Sequence, residues 1–217
     1  MIDPEQLLAA YAQGYFPMAR SARERKVEWI DPDFRGIIPL ADFHVPRRLA
    51  RTVRQDQYQV KPDTAFKQVM QHCAEPMPGR MTTWINRTIF ESYCRLHALG
   101  HAHSIEVWDG ETLVGGLYGV KLGAAFFGES MFSRRTDVSK IALVHLVARL
   151  LSGGFLLLDT QFQTEHLSQF GTQEIPREAY LERLQSALTQ NANFYELGAA
   201  GAAVSGRAVL QLITQTS

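Results

Sequence analysis

The stretch from His103 to Gln161 leaves little choice of fold. HSIEVW alternates in polarity and ends at Asp109-Gly110, a type I′ hairpin dipeptide. LVGGLYGV follows, Lys121 to Gly123 makes a second turn, and AAFFGESM completes an antiparallel meander. The run DVSKIALVHLVARLLSGG then places Ile141, Val144, Leu146, Val147, Leu150 and Leu151 at helical spacing and stops at Gly153-Gly154. FLLLDTQF reads as a buried strand, and PREAYLERLQSAL, with Pro176 in its first turn, as a closing helix. The pattern predicts an α/β (α+β) fold built on a mixed sheet with flanking helices.

Meander, helix, strand, helix is the order of an acetyltransferase-like core. Ahead of it, Pro4 begins a helix through LLAAYAQ that Gly14 and Pro17 stop. The segment SARERKVEWIDPDFRG is polar and turn-rich and reads as a loop, with a soft domain boundary near Asp33 to Gly36. A small N-terminal domain, 1–34, and a main domain, 35–217, are therefore expected. With 217 residues, 46% of them hydrophobic, the chain can bury a sizeable core. Its 22 basic and 22 acidic residues cancel, so any polyanionic partner must be held by a local patch. No stretch approaches the length of a bilayer span, and the chain reads as cytosolic, without a membrane partner. Cys73 and Cys94 belong to no C-x-x-C pair and read as buried structural thiols.

Three groups of residues carry chemistry. Glu129 finishes one apolar strand, and Asp159 with Gln161 finishes another. A partly desolvated carboxylate has a raised pKa and can take a proton from an amine near neutral pH, and period two puts Asp159 and Gln161 on one strand face. The competing reading is a pair of buried acids that cap a helix or accept backbone hydrogen bonds. Second, residues 44–95 hold nine Lys or Arg against four acids, and Arg47, Arg48, Arg51 and Arg54 fall at helical spacing opposite Leu49, Ala50 and Val53. Such a face can track phosphates or simply face solvent. Trp84 and Tyr11 could stack an unpaired base or pack in the core. Third, His101 and His103 would share a strand face, yet no acidic or cysteine partner stands at a metal-ligand spacing, and no metal is expected. There is no G-x-S-x-G elbow and no P-loop.

GHAHSIEVW, GGLYGV, FFGESMFS, the helix beginning SKIALVHL, and DTQ followed by His166 and GTQEIPREAYLERL resemble the leucyl/phenylalanyl-tRNA–protein transferase family. The motifs occur in the family's order, and the TTWI and YFP segments fit as well. The resemblance implies an acetyltransferase-like domain preceded by a small N-terminal domain, and an enzyme that needs neither metal nor nucleotide cofactor. That enzyme moves leucine or phenylalanine, less readily methionine, from charged tRNA to the α-amino group of a protein beginning with arginine or lysine. The product is marked for N-degron proteolysis, and the enzyme would act as a cytoplasmic monomer. It further implies that Gln161 contacts the attacking amine and Asp159 polarises Gln161, while Glu129 holds a substrate amino group. Leu117, Phe126, Leu143 and Leu146 would line the pocket for the transferred side chain, and Trp84 and Tyr11 would lie near the 3′-terminal adenosine.

Several positions depart from the family pattern. The chain begins at LLAAYAQGYFP without the segment that longer members carry before it, so a smaller first domain is expected. Met18 stands where many members have tryptophan, and Thr164 where others have asparagine. The run from Asn191 to Ser217 matches no known motif. Two rivals share parts of the pattern. An acetyl-CoA-dependent N-acetyltransferase would need a glycine-rich pyrophosphate loop, absent from RRTDVSK, and a catalytically silent RNA-binding module would tolerate loss of Asp159 and Glu129. The two carboxylates favour a cationic acceptor residue, although net charge alone does not separate a basic from an acidic acceptor.

Overall fold

In the computed structural model, residues 1–76 and 82–215 are described; Arg80 of the basic middle segment and the last two residues of the C-terminal run fall outside them. The meander is formed by β5 (Ala102–Asp109), β6 (Thr112–Leu122) and β7 (Ala125–Ser133), followed by α5 (Val138–Ser152) and by β8 (Leu157–Gln161), which runs parallel to β7. Each element sits where the hydrophobic pattern put it. The first hairpin differs in its turn: Asp109 pairs with Thr112, so Gly110 and Glu111 are the loop residues. Gly110, at φ 59°, occupies the first of the two positions, as in a type II′ turn, instead of following an aspartate in a type I′ pair.

The segment read as a loop contains two strands. β1 (Phe16–Met18) pairs with β2 (Glu28–Ile30) as a small hairpin, and β3 (Phe34–Ile38) enters the main sheet between β8 and β9 (Gln173–Pro176). With β4 (Gln59–Pro62) at the other edge, the seven strands run β4-β5-β6-β7-β8-β3-β9, and only the β7–β8 neighbours are parallel. Pro176 ends β9 and stands at the N-cap of α7 (Arg177–Leu188), one position outside the helix.

Helices cover both faces of the sheet, which is why β6 is buried along most of its length instead of alternating. One face packs against α1 (Pro4–Ala12), α3 (Phe66–Ala74), α4 (Arg87–Ala98) and α7, through Leu7, Phe66, Tyr93 and Leu184 among others. Cys73 is buried in this cluster, and Cys94 is half-buried on α4. The helix α1 starts as its sequence suggests, with Asp3 accepting from the N–H groups of Glu5 and Gln6 and Pro4 in the first turn.

The other face holds α5, α2 (Arg47–Arg54) and α8 (Gly206–Gln215). Here the C-terminal run finds its place. The α5 helix is buried on nearly all sides, because Val209, Leu210 and Ile213 of α8 pack with it in one cluster. Two polar residues of α5 are buried with it. Arg149 donates to the carbonyls of Phe194 (2.9 Å) and Gly198 (2.7 Å), pinning the incoming tail. His145, desolvated and beside Arg149, is pushed down to about 3 and stays neutral.

The close approach of α8 to α2 requires glycine at its first residue. A Cβ on Gly206 would lie 2.0 Å from the main-chain oxygen of Val53, a backbone atom that cannot swing aside. Gly206→Ala should therefore lower stability by about 1–3 kcal/mol through overpacking, measured as a lower denaturant midpoint at an unchanged m-value.

Candidate active site

The parallel pair comes apart where the chemistry-bearing residues begin. β7 and β8 pair from Ala125–Leu157 to Phe127–Asp159 and no further. Two irregularities force the separation: the β6–β7 register shifts between Tyr118 and Gly119, and the β3–β8 register shifts between Gly36 and Ile37. Gln161 itself sits at φ 65°, a left-handed conformation uncommon for a residue with a side chain. Gly36 makes room for the chain as it turns, since a Cβ there would lie 2.6 Å from the backbone carbon of Phe162.

Glu129 occupies this opening. Tyr11 donates to its Oε1 at 2.6 Å, Tyr93 to Oε2 at 3.0 Å, and Gln161 Nε2 to Oε1 at 2.9 Å. The two tyrosine hydroxyls also touch each other. Burial raises the Glu129 pKa to about 7, against the opposing pull of its three donors. The same burial, reinforced by the neighbouring carboxylate, lifts Tyr11 and Tyr93 well above the ordinary tyrosine range, so both remain protonated donors.

Asp159 lies behind this layer with 0% exposure. Arg35 Nε donates to Oδ1 (3.0 Å) and Oδ2 (3.1 Å), and Arg35 Nη2 to Oδ2 (2.7 Å). Tyr180 adds a bond to Oδ2 at 2.7 Å, and the Gln161 backbone N–H one to Oδ1 at 2.7 Å. The guanidinium of Arg35 is 4.6 Å from the ring centre of Phe16 and 4.5 Å from that of Tyr180, and its Nη1 donates to Gly14 O at 2.7 Å. The expectation that Asp159 and Gln161 converge on one reacting group does not hold. The bulge and the left-handed Gln161 send the two side chains apart, one to Arg35 and the other to Glu129. Asp159 engages the Gln161 backbone, not its amide group.

In front of Glu129 lies a pocket of about 500 Å³. Leu117, Met131, Leu143, Leu146, Leu158 and Leu167 give it hydrocarbon walls, and Glu129 is the one acid among its lining residues. Trp84 and Met18 also line it, as do Thr164 and the half-exposed Phe162. Of the expected side-chain pocket, Leu117, Leu143 and Leu146 are on the wall. Phe126 is not: it is wholly buried, stacked on Phe194 at 5.7 Å and edge-on to Phe155. Tyr11 also differs from expectation. With 0% exposure and its hydroxyl on Glu129, its ring offers no face to a base.

The basic helix forms as its spacing suggests, with Leu49 and Val53 buried and all four arginines exposed. Arg47, Arg51 and Arg54 line a groove of about 830 Å³ together with Arg207 of α8, a cation that lay in the unmatched C-terminal run. Arg48 departs from the set, lying 3.8 Å from Asp137 at the start of α5. Asp137 is the N-cap of the helix that supplies Ser139, Leu143 and Leu146 to the pocket, against which Leu49 and Val53 of α2 pack in one core cluster. His103, weighed as a metal ligand, instead has its Nδ1 hydrogen-bonded to Asp63 Oδ2 at 2.7 Å.

Arg35, Tyr93 and Tyr180 were missed as site residues by sequence reasoning. Arg35 stood in a segment read as loop, and Tyr93 and Tyr180 occur at ordinary core positions of their helices. A sequence profile described as leucyl/phenylalanyl-tRNA protein transferase matches residues 37–185, and one for that family's N-terminal domain matches 1–33. The chain belongs to this family. A leucyl/phenylalanyl-tRNA–protein transferase of Phenylobacterium zucineum is 60% identical over 99% of this chain and 98% of its own. Another of Caulobacter vibrioides is 56% identical over 98% and 97%, respectively. The buried Glu129 is thus a feature of an aminoacyltransferase scaffold.

The raised pKa of Glu129 has a sign. A carboxyl that titrates near 7 when folded and near 4.5 when unfolded stabilises the fold fully below about pH 4.5, and that contribution is lost as pH rises to 7. The stability of Glu129→Gln relative to wild type should therefore rise between pH 5 and 8, by roughly 2–3 kcal/mol. Denaturant titrations of both proteins at several pH values measure the difference, and a flat difference would contradict the shift.

Proposed function

We propose that this chain transfers leucine or phenylalanine, and methionine less readily, from charged tRNA to the N-terminal α-amino group of a protein beginning with arginine or lysine. The relatives named above carry the name leucyl/phenylalanyl-tRNA–protein transferase, which supports the donor and the reaction class. The observation that carries the reading is a single buried carboxylate, the one acid among the lining residues of a pocket whose walls are largely hydrocarbon. An aminoacyl ester presents an ammonium and an apolar side chain on adjacent atoms, and this pocket offers a partner for each. Glu129 is costly to ionise alone and is compensated when an ammonium sits against it.

In the reaction, the acceptor amine attacks the ester carbonyl, the carbon–nitrogen bond forms and the ester carbon–oxygen bond breaks. The amine's proton ends on the departing 3′-oxygen. Gln161 gives one amide hydrogen to Glu129, and its carbonyl oxygen, with no partner among the described residues, accepts from the incoming amine. Asp159 acts one step back, fixing Gln161 through its backbone N–H. Leu117, Leu143 and Leu146 receive the transferred side chain, with discrimination of only about 1–3 kcal/mol per methylene. Trp84, with Met18 beside it, faces the terminal adenosine. Arg47, Arg51 and Arg54 hold tRNA phosphates, and Arg207 extends their groove.

The product enters N-degron proteolysis in the cytoplasm. No helix among the described residues is long and apolar enough to cross a membrane. The chain divides near residue 34 into a small N-terminal domain and the transfer domain. An acetyl-CoA-dependent reaction is disfavoured by Asp137, an acid at the N-cap of α5 where a pyrophosphate would have to sit.

Glu129→Gln should slow leucyl transfer to an arginine-initiated peptide by about 10²–10⁴-fold while tRNA affinity stays within about twofold; equal losses in both would refute the assignment. Acetylation from acetyl-CoA without leucyl transfer would refute the reaction class. Separately, replacing Arg47, Arg51 and Arg54 with glutamine should weaken tRNA binding and flatten the slope of log K against log salt by about two to three units. An unchanged slope would mean that these side chains only face solvent.

A further inference from the structure

The loop joining β1 to β2, residues 19–27, carries Arg20, Arg23, Arg25 and Lys26 against one acid, Glu24. No step of the proposed transfer uses it, yet it is firmly tied down. Its ends are closed by the pairing of Met18 with Glu28. At its start the Ala19 N–H donates to the Trp84 carbonyl at 3.2 Å, and Ala19 and Val27 pack into the core. Its middle is held by Asn86, whose Nδ2 donates to the Glu24 carbonyl at 2.7 Å while its Oδ1 caps α4 through the Ile89 N–H. Met18 and Trp84 both line the pocket that runs from Glu129 to the helical turn α6 (Glu165–Ser168). These bonds therefore fix the loop along the Trp84 side of that pocket.

Most of the loop's charge is left uncompensated. Arg20 pairs with Glu28 at 2.9 Å. The Glu24 carboxylate accepts from the Lys26 backbone N–H at 3.3 Å. Arg23, Arg25 and Lys26 are all exposed, and none forms a salt bridge among the described residues. Three unpaired cations within four residues repel one another, and a polyanion laid across them relieves that repulsion and releases its own counterions. The α2 arginines do not share this surface. Leu49 and Val53 set α2 in the core cluster of α5 and α8, whereas the loop packs through Ala19 and Val27 into the cluster on the other face of the sheet.

The occupant follows from the donor reading on which this inference rests, in which the terminal adenosine lies against Trp84. The phosphodiesters preceding that adenosine are then the nearest anions to a loop bonded to Trp84 and Asn86. The acceptor of the same reading begins with a cation, which the loop would repel. We propose that Arg23, Arg25 and Lys26 hold the phosphates of the unpaired 3′-terminal nucleotides of the donor, a second polyanion contact separate from the α2 groove.

The test compares leucyl transfer to an arginine-initiated peptide from two donors, the leucyl ester of adenosine, which has no phosphate, and that of the trinucleotide CCA, which has two. Wild type should use the trinucleotide ester better and lose the advantage as salt rises, with log kcat/KM falling against log salt at a slope of about −1.4. Replacing Arg23, Arg25 and Lys26 together with glutamine should lower kcat/KM for the trinucleotide ester by about five- to tenfold at about 50 mM salt and flatten that slope. The adenosine ester, which also reports that the variant is folded, should stay within about twofold. Equal loss on both donors would mean that the loop shapes the pocket, and no loss on either would leave its cations facing solvent. A loss seen only with acceptor peptides rich in acidic residues would assign the loop to the protein substrate. Wild type that uses charged tRNA but neither ester would show that the terminal nucleotides are not what binds. Each of these four results overturns the proposal, whereas inactivity on both esters and on charged tRNA would refute the transferase reading itself.

Discussion

The Arg35–Asp159 ion pair fixes the geometry on which the rest of the site depends. Both groups are buried, and removing two charges from water costs several kcal/mol each unless their hydrogen bonds are well met. Here they are: the Asp159 oxygens accept from Arg35, Tyr180 and the Gln161 backbone, and Arg35 spends its remaining fork on Gly14. The pair thereby joins β3, β8, α7 and the turn after α1 at one point. A hydrophobic pair of similar volume would serve stability as well. It would not hold the backbone N–H of Gln161.

That hydrogen bond has a structural consequence out of proportion to its size. A non-glycine residue in the left-handed region costs of order 1–3 kcal/mol and persists only where its surroundings over-determine it. Asp159 Oδ1 and the bulged register of β3 supply that determination at Gln161. In return, the side chain of Gln161 crosses the gap between the parting strands and reaches Glu129, which continuous pairing of β7 and β8 would have closed. The opening in the sheet, the buried carboxylate and the strained glutamine are three views of one arrangement.

The order of elements from β5 through α7 was legible because hydrophobic period and turn residues specify it locally. The Arg47–Arg54 helix was legible for the same reason. β3 was not: FRGII is a short segment whose partners are more than a hundred residues away, and Asp33 before it and Gly36 within it carry turn signals that outweigh it in a local reading. The error propagated into the site, because the same strand carries Arg35. A carboxylate at the end of β8 looked like a partly desolvated base only while its buried counter-ion was out of view. The resemblance set Phe126 on the pocket wall and Tyr11 near the adenosine, and periodicity could not test either placing. Strand and helix periodicity says that such residues are buried, but a pocket wall and a core interior have the same period, and only the register separates them. The α8 helix, unread in sequence, shows the complementary case: Val209, Leu210 and Ile213 have the spacing of a buried stripe, and the surface that buries them is α5, whose own stripe is so wide that it needs a second cover.

Hydrocarbon walls cannot by themselves recognise an amino acid. They favour any apolar group of suitable volume, with small penalties per methylene. In the proposed transfer, selection for an amino acid with a free amine comes from Glu129, and its environment makes that selection steep. With a pKa near 7, the carboxyl is in balance between two unfavourable states: neutral, with three donors aimed at it, or ionised, with no hydrogen-bonded cation among the described residues. An ammonium resolves the balance and an acylated nitrogen does not, because it brings no charge and adds volume beside the carboxylate. In the proposed transfer, the same feature works after the bond forms. The transferred residue keeps its free amine, so the product remains bound by the interaction that held the donor, and release depends on losing the nucleoside contacts that the departing tRNA takes with it.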